Sequence, residues 1–148
     1  MIQIIPITTV TFTLLLLIYF SWKTIITNNH YQKGLTLYQE KNYPAAETEF
    51  LKVIAINKTN DVVHLLLGDT LMQQSRTQEA IAQFQEVIER APKKADAYLR
   101  LSNALMQQNQ SKEAITNLEK ARDLLQKQRN TQEADKINQL LAKLAQTT

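Results

Sequence analysis

The chain repeats itself with a period of 34 residues. Small residues return to the same two positions of each period, and apolar residues, mostly larger, return to two others. These positions hold Gly34, Gly68 and Ser102; Ala46, Ala80 and Ala114; Phe50, Phe84 and Leu118; and Val53, Val87 and Ala121. A period of this length with this alternation is typical of stacked helix–turn–helix units. Such a stack forms a curved surface that holds a partner rather than a pocket for chemistry.

The N-terminus is apolar, and no charged side chain precedes Lys23. As a helix, residues 2–22 would be about 31 Å long, enough to cross the hydrocarbon core of a bilayer. The run is long for a buried core helix, and it has neither the basic start nor the small-residue cleavage site of a signal peptide. We therefore predict an uncleaved membrane anchor at residues 1–23, followed by a short linker at 24–30. The anchor residues singled out are Ile7, Leu14, Leu15, Leu16, Leu17, Ile18, Tyr19, Trp22 and Lys23.

Charge predicts the orientation of this anchor. Lys23 and Lys33 follow the apolar run, whereas no basic side chain precedes it. Because basic residues near a span favour the cytoplasmic side, the C-terminal part is expected on the cytoplasmic side of the membrane.

Composition excludes several classes of function. The chain has no cysteine, which removes disulfides, thiolate zinc sites and cysteine nucleophiles, and its two glycines leave no glycine-rich phosphate loop. The net charge of +3 comes from interleaved basic and acidic residues, as on a solvated helix surface, so we expect no nucleic-acid partner. The one basic cluster, Arg90, Lys93 and Lys94, is interpreted as a loop between repeats, with phosphate or lipid-headgroup contact as the alternative.

The histidines do not indicate an enzyme. His30 and His64 are the only two, and they lie one period apart in matching positions. No paired-carboxylate, Ser/His/Asp or H-E-x-x-H pattern accompanies them, so we interpret them as packing residues. The sequence predicts no catalytic residues, no cofactor, no metal site and no small-molecule substrate.

Helical spacing of apolar residues predicts the remaining organisation. Three helix pairs are expected within 31–126, in register near 27–60, 61–94 and 95–128. A further helix at 131–146 is amphipathic on one side, and an open stack needs a terminal cap, so we predict a capping helix. Docking of that helix onto a partner or membrane surface is the alternative. The predicted fold class is all-α: one transmembrane helix, a three-repeat superhelix and a C-terminal capping helix.

The repeats resemble the tetratricopeptide repeat family. The resemblance covers about residues 28–126 and rests on three copies of a small-to-large pattern, the first of which is Gly34, Tyr43, Ala46, Phe50 and Val53. The family implies a right-handed superhelix with a concave groove lined by the first helix of each repeat. By this resemblance the groove lining comprises Tyr31, Leu35, Tyr38, Gln39, Leu65, Asp69, Met72, Gln73, Leu99, Arg100, Asn103, Met106 and Gln107.

The residues at the family's ligand-binding positions argue against one known ligand. Family members that bind acidic C-termini use a clamp of Lys, Asn and Arg. The corresponding positions here hold Tyr31, Leu35, Leu66, Asp96 and Arg100, so only Arg100 matches, and Asp96 would repel a carboxylate. The tyrosines, leucines and methionines of the groove instead predict an amphipathic helix or an extended apolar peptide as ligand. Internal packing of several of these residues is the alternative.

An anchor followed by three such repeats is also similar to the membrane-anchored tetratricopeptide proteins of cyanobacteria and plastids that help to assemble photosystem I. This resemblance implies an assembly factor in the thylakoid membrane, with its repeats on the stromal side, whose protein partners are membrane-complex subunits. Two alternatives stay open. One is a scaffold or receptor on a bacterial inner membrane or an organelle membrane, and the other is a stable subunit of a membrane complex.

Overall fold

The computed structural model describes residues 7–146, and the regular structure in that range is entirely helical. Successive helices pack against each other along the chain, and α3 also contacts α5. The helices are α1 Ile7–Gln39, α2 Tyr43–Ile56, α3 Asp61–Gln73, α4 Thr77–Arg90, α5 Ala95–Gln107, α6 Ser111–Lys127 and α7 Thr131–Gln146. This arrangement is a superhelical stack, which confirms the all-α fold class.

Helix α1 is continuous over 33 residues, about 50 Å at the helical rise. The structure therefore corrects the predicted linker at 24–30, because those residues are helical. Thr24 and Thr27 donate hydrogen bonds to the carbonyl oxygens of Phe20 and Lys23, each at 2.8 Å, so their hydroxyls are satisfied inside the helix. The apolar segment and the first repeat helix thus form one continuous helix. Residues 1–6 of the predicted anchor lie outside the described residues.

Burial divides α1 into two parts. Residues 7–22 are exposed, and from Lys23 onward every third or fourth residue is partly or fully covered by the stack. Among the described residues, α1 is the one helix long and apolar enough to cross a membrane, and its most apolar window is 0% buried. That exposure removes the alternative of a buried core helix for residues 7–22.

The small positions of the repeat allow two helices to approach closely. A Cβ atom on Gly34 would lie 2.6 Å from Cε1 of Phe50, and one on Gly68 would overlap the ring of Phe84. Both rings are fully buried. Glycine is therefore needed here for space, since neither glycine has a positive φ.

The third repeat solves the same packing problem with different residues. Ser102 takes the glycine position, and Leu118 takes the position of the phenylalanine. The buried Ser102 hydroxyl donates a hydrogen bond to the Ala114 carbonyl oxygen at 2.8 Å, so its polar group is satisfied. Serine is larger than the glycine of the other repeats, and leucine is smaller than their phenylalanine, so the two helices can still pack closely.

The C-terminal helix α7 covers the end of the stack. It buries Ala134 and Ile137 in a cluster shared with α5 and α6 and leaves Leu140 44% exposed. This position agrees with a capping helix, although the capping role itself stays a prediction.

Four turns between helices share one backbone geometry. Lys41, Ser75, Asn109 and Arg129 have φ angles of 60–61°, in the left-handed region. In the second turn, the Arg76 N–H donates to the Leu71 carbonyl oxygen at 2.9 Å, and the other three turns have the same bond. The sequence suggests hydroxyl caps at Thr77 and Ser111. Instead, these are the first residues of α4 and α6, whose N-caps make no side-chain capping bond.

Replacing Ser75 by glycine should raise the free energy of unfolding by about 1 kcal/mol, because glycine has no Cβ to strain at positive φ. Chemical denaturation of the full chain in detergent micelles measures the change. Asn109→Gly is the matched control, and we expect a smaller gain because asparagine tolerates this conformation. A loss of stability at Ser75, or equal gains at both positions, would argue against strain in this turn.

Candidate binding groove

A pocket of about 90 Å³ lies where α1, α3 and α5 meet. Seven of the predicted groove residues line it: Tyr38, Asp69, Met72, Gln73, Arg100, Asn103 and Gln107. The buried Phe84 of α4 also lines the pocket, although the sequence assigns that residue only to the core. Phe84 therefore both packs against Gly68 in its own repeat and lines the pocket.

The other predicted groove residues do not line this pocket. Leu65 is buried in the core and does not line the pocket. Tyr31, Leu35 and Met106 are partly buried and pack against the same core, and Leu99 packs against the second cluster. Gln39 is exposed at the end of α1. Their part in ligand binding stays a prediction, and the alternative of internal packing applies most strongly to Leu65.

The polar centre of the pocket is an arginine between two carboxylates. The Arg100 Nη1 atom contacts Asp69, and its Nε atom lies 3.2 Å from Oδ1 of Asp96. Burial lowers the pKa of Arg100 and raises the pKa of Asp96. Because two acidic side chains surround one guanidinium, an incoming peptide carboxylate would meet repulsion. The geometry supports the argument against an acidic C-terminus as ligand.

Aromatic packing orients the tyrosine at one end of the pocket. The Tyr38 ring meets the Tyr43 ring edge-on, with centroids 5.5 Å apart. Tyr38 also packs against the core, so its position is determined before any ligand binds. The pocket thus combines a fixed aromatic side chain with the flexible Met72, which suits an irregular apolar ligand.

The two histidines lie away from this pocket in equivalent polar contacts. His30 Nδ1 lies 2.6 Å from Oε2 of Glu49, and His64 Nδ1 lies 2.8 Å from Oε1 of Gln83. His64 Nε2 also donates to the Lys58 carbonyl oxygen at 2.9 Å. Within residues 7–146, no three His, Asp or Glu side chains converge as metal ligands would. The two Nδ1 contacts join the helices of one repeat, and the Nε2 contact joins the second repeat to the connection before it.

Glu49 makes the stability of the stack depend on pH in the acidic range. Burial alone would raise the pKa of Glu49, but hydrogen bonds from His30, Lys52 and Lys33 outweigh burial and lower the pKa from 4.5 to about 2. Since the folded-state pKa is below the unfolded value, the carboxylate stabilises the fold fully above pH 4.5. This stabilisation is lost as the pH falls towards about 2.

Glu49→Gln should therefore lower stability at neutral pH and flatten the fall in the free energy of unfolding between pH 4.5 and about 2. The variant keeps a hydrogen-bonding partner for His30, as Gln83 does for His64. Denaturation measured across this pH range tests it, with the exposed Glu40→Gln as control. A slope unchanged by Glu49→Gln would show that another group controls the acid response.

A second and larger concavity lies at the other end of the first repeat. It measures about 570 Å³ and lies between α1 and the connection from α2 to α3. Its lining comprises Phe20, Lys23, Thr24, Thr27, Asn28, Tyr31, Ile56, Asn57, Asn60 and Val62. This concavity exists only because α1 continues through residues 24–30. The sequence predicts a linker there, so it does not predict the concavity.

Family comparison agrees with the repeat pattern. One tetratricopeptide repeat model matches residues 27–60, and a second matches residues 65–128, together about two thirds of the chain. The chain belongs to the tetratricopeptide repeat family. The predicted family is therefore confirmed, and the chain is a tetratricopeptide scaffold for protein interaction. No curated protein matches it.

Solved structures show the same fold. The TPR2B domain of yeast Sti1, in its complex with pHsp70, aligns with a TM-score of 0.76 at 22% identity over 84% of this chain and 99% of that one. The type III secretion translocator chaperone SycD of Yersinia enterocolitica aligns with a TM-score of 0.73 at 18% identity, over 78% of this chain and 87% of that one. A mutant form of MamA aligns with a TM-score of 0.61 at 26% identity, over 66% and 72% of the two chains.

Proposed function

We propose that α1 anchors this scaffold in a membrane, where the tetratricopeptide groove holds a subunit of a membrane complex during assembly. The observation that carries the proposal is the continuity of α1. One helix contains the exposed, uncharged segment 7–22 at one end and the groove residue Tyr38 at the other. A tether without a flexible linker keeps the groove close to membrane partners and raises their effective concentration.

The nature of the groove suggests the kind of segment it holds. Its lining pairs Tyr38 and Met72 with the exposed amides of Gln73, Asn103 and Gln107. Such a surface suits an amphipathic helix or an extended apolar peptide, with the amides at its polar margin. Lys23 and Lys33 favour the cytoplasmic or stromal side for the repeats.

Photosystem I is the complex we propose, with the thylakoid as the membrane. Its support is the similarity of this architecture, an anchor before three repeats, to tetratricopeptide proteins that assist photosystem I assembly. The experiment is purification of the tagged full chain from solubilised thylakoid membranes, with its associated proteins identified. Recovery of incomplete photosystem I supports the proposal, whereas recovery of mature complex alone favours a stable subunit.

The stable-subunit alternative requires α1 to pack against partner helices through its threonines. The Thr11 and Thr13 hydroxyls already donate to carbonyl oxygens of α1, those of Thr8 and Val10, at 3.0 and 2.8 Å. They can therefore accept a hydrogen bond from a neighbouring helix but do not need one. No feature of α1 in the described residues favours permanent packing over a simple anchor.

A further inference from the structure

The helix ends of the stack form two edges, and α1 leaves from one of them. Helix α2 returns along α1 and ends beside Lys23, which shares a concavity with Ile56. Because successive helices are antiparallel, the connections after α2, α4 and α6 lie on this same side. We define the anchor edge as residues 57–60, 91–94 and 128–130.

Side-chain contacts join parts of the anchor edge, both within a repeat and between repeats. Arg90 at the end of α4 pairs with Asp61 at the start of α3, with Nη2 and Oδ1 3.0 Å apart. Gln128 Nε2 donates a hydrogen bond to the Lys93 carbonyl oxygen at 2.9 Å, which links the connections after α4 and α6. The edge is thus a continuous surface on the side from which α1 leaves.

The anchor edge is basic. Its three connections contain Lys58, Lys93, Lys94 and Arg129 and no acidic residue. Among the described residues, none of these four side chains forms an ion pair.

Acidic side chains at the neighbouring helix ends cancel only part of this charge. Asp61, Asp96 and Glu133 each pair with a basic residue, but the arginines that pair with Asp61 and Asp96 each also pair with a second carboxylate. These shared pairs leave two negative charges against the four unpaired cations of the connections. Glu89, near the end of α4, has no ion pair among the described residues, but neither have Lys23 and Lys127. The free charge of the anchor edge is therefore positive.

The opposite edge differs. Its three connections, 40–42, 74–76 and 108–110, contain Glu40, Lys41 and Arg76. The Arg76 guanidinium is neutralised by Glu47 and Glu79, with nitrogen–oxygen distances of 2.7 and 2.6 Å. The two edges therefore differ in charge, and the basic edge is the one from which α1 leaves the stack.

We propose that the anchor edge binds the anionic lipid headgroups of the membrane that α1 crosses. This inference rests on the anchoring proposed above. The potential of an anionic membrane surface decays within about 10 Å at ordinary salt, so only cations held near the surface respond to it. The absence of a linker places the connection after α2 level with Lys23, at the end of the apolar segment. Binding at the edge would orient the groove relative to the bilayer.

The concavity beside α1 adds a recess to this surface. Its lining combines the Lys23 ammonium group and the Asn57 and Asn60 amides with the apolar Phe20 and Val62. A phosphate headgroup and the start of an acyl chain have the matching chemistry. The Phe20 side chain is 57% exposed and lies near the end of the segment proposed to enter the bilayer.

The test compares full-length protein in phosphatidylcholine vesicles with protein in vesicles where phosphatidylglycerol replaces half of that lipid. Lysine acylation by a neutral reagent, followed by mass spectrometry, reports the accessibility of each lysine. We expect Lys58, Lys93 and Lys94 to react roughly fivefold more slowly on the anionic vesicles at low salt, as each cation gains attraction to the surface. High salt should remove the protection. Lys41 and Lys112, at the opposite ends of the helices, are internal controls and should not change.

A variant distinguishes lipid binding from a general effect of the vesicle. Lys58→Gln, Lys93→Gln and Lys94→Gln combined should abolish the enrichment of phosphatidylglycerol in lipid that copurifies with the protein. The matched variant combines Lys41→Gln, Lys112→Gln and Lys120→Gln and should retain it. Equal acylation in the two vesicle types, or equal enrichment for the two variants, would overturn the inference.

Failure of the anchor itself gives a separate result. If alkaline carbonate strips the protein from both vesicle types, α1 does not span the bilayer, and the proposed anchoring and the inference that rests on it both fall. If the protein resists extraction but its lysines react equally, the anchor stands and lipid binding by the edge is rejected.

Discussion

Gly68→Ala should lower the free energy of unfolding by about 3 kcal/mol, because the core is already filled at this position. The added methyl group would overlap the buried ring of Phe84, which cannot swing into solvent. Chemical denaturation of the full chain in detergent micelles measures the loss. Far-ultraviolet circular dichroism shows whether the helices persist.

A second substitution should recover part of this loss. The third repeat pairs Ser102 with Leu118, so Gly68→Ala combined with Phe84→Leu imitates a combination that the chain already uses. We expect the double variant to be more stable than the sum of the single effects by at least about 1 kcal/mol. Ser102→Ala is the control, because a Cβ is already present there, and it should cost only about 1 kcal/mol for the lost hydrogen bond. Additive single effects would mean that the two side chains do not meet.

Charging the groove should abolish partner binding without unfolding the stack. Asn103→Glu and Gln107→Glu place two carboxylates at exposed positions of the pocket that already contains Asp69. Each new carboxylate must lose water against an apolar ligand and is repelled by its acidic neighbour, so together they should weaken binding roughly a hundredfold. Recovery of the partner with the tagged full chain measures this effect.

The control carries the same added charge elsewhere. Gln78→Glu and Gln85→Glu lie at exposed positions of α4 that do not line the pocket. This variant should recover the partner as well as the original protein does. Tyr38 and Met72 are less suitable for charge substitution, because both also pack against the core. Equal losses in the two variants would place the binding surface outside the groove.

The repeat pattern predicts the fold well because its small positions are steric requirements. A buried phenylalanine against a glycine, as at Phe84 and Gly68, leaves few other ways to pack the two helices. The predicted linker at 24–30 failed for a different reason. Its threonines and asparagines favour turns locally, but pairing of α1 with α2 and hydrogen bonds within the helix override that preference. Local signals also predicted Thr77 and Ser111 as the N-caps of α4 and α6, one residue after the N-caps in the structure.

The site is less predictable than the fold, because residues on the same face of one helix, a single turn apart, can have different surroundings. Leu65 and Asp69 are one turn apart on α3, yet the first is in the core and the second lines the pocket. Phe84 contributes from the second helix of its repeat, which the family resemblance does not assign to the groove. The basic anchor edge comes from residues far apart in sequence, so only packing brings them to one side.

The most direct test of the account is photo-crosslinking from a single groove position in native membranes. A photoreactive amino acid in place of Gln107, at the exposed margin of the pocket, is compared with the same substitution at Gln85 on α4. The account predicts that Gln107 crosslinks to a subunit of the membrane complex and that Gln85 does not. Crosslinking of that subunit from Gln85 but not from Gln107 would contradict it.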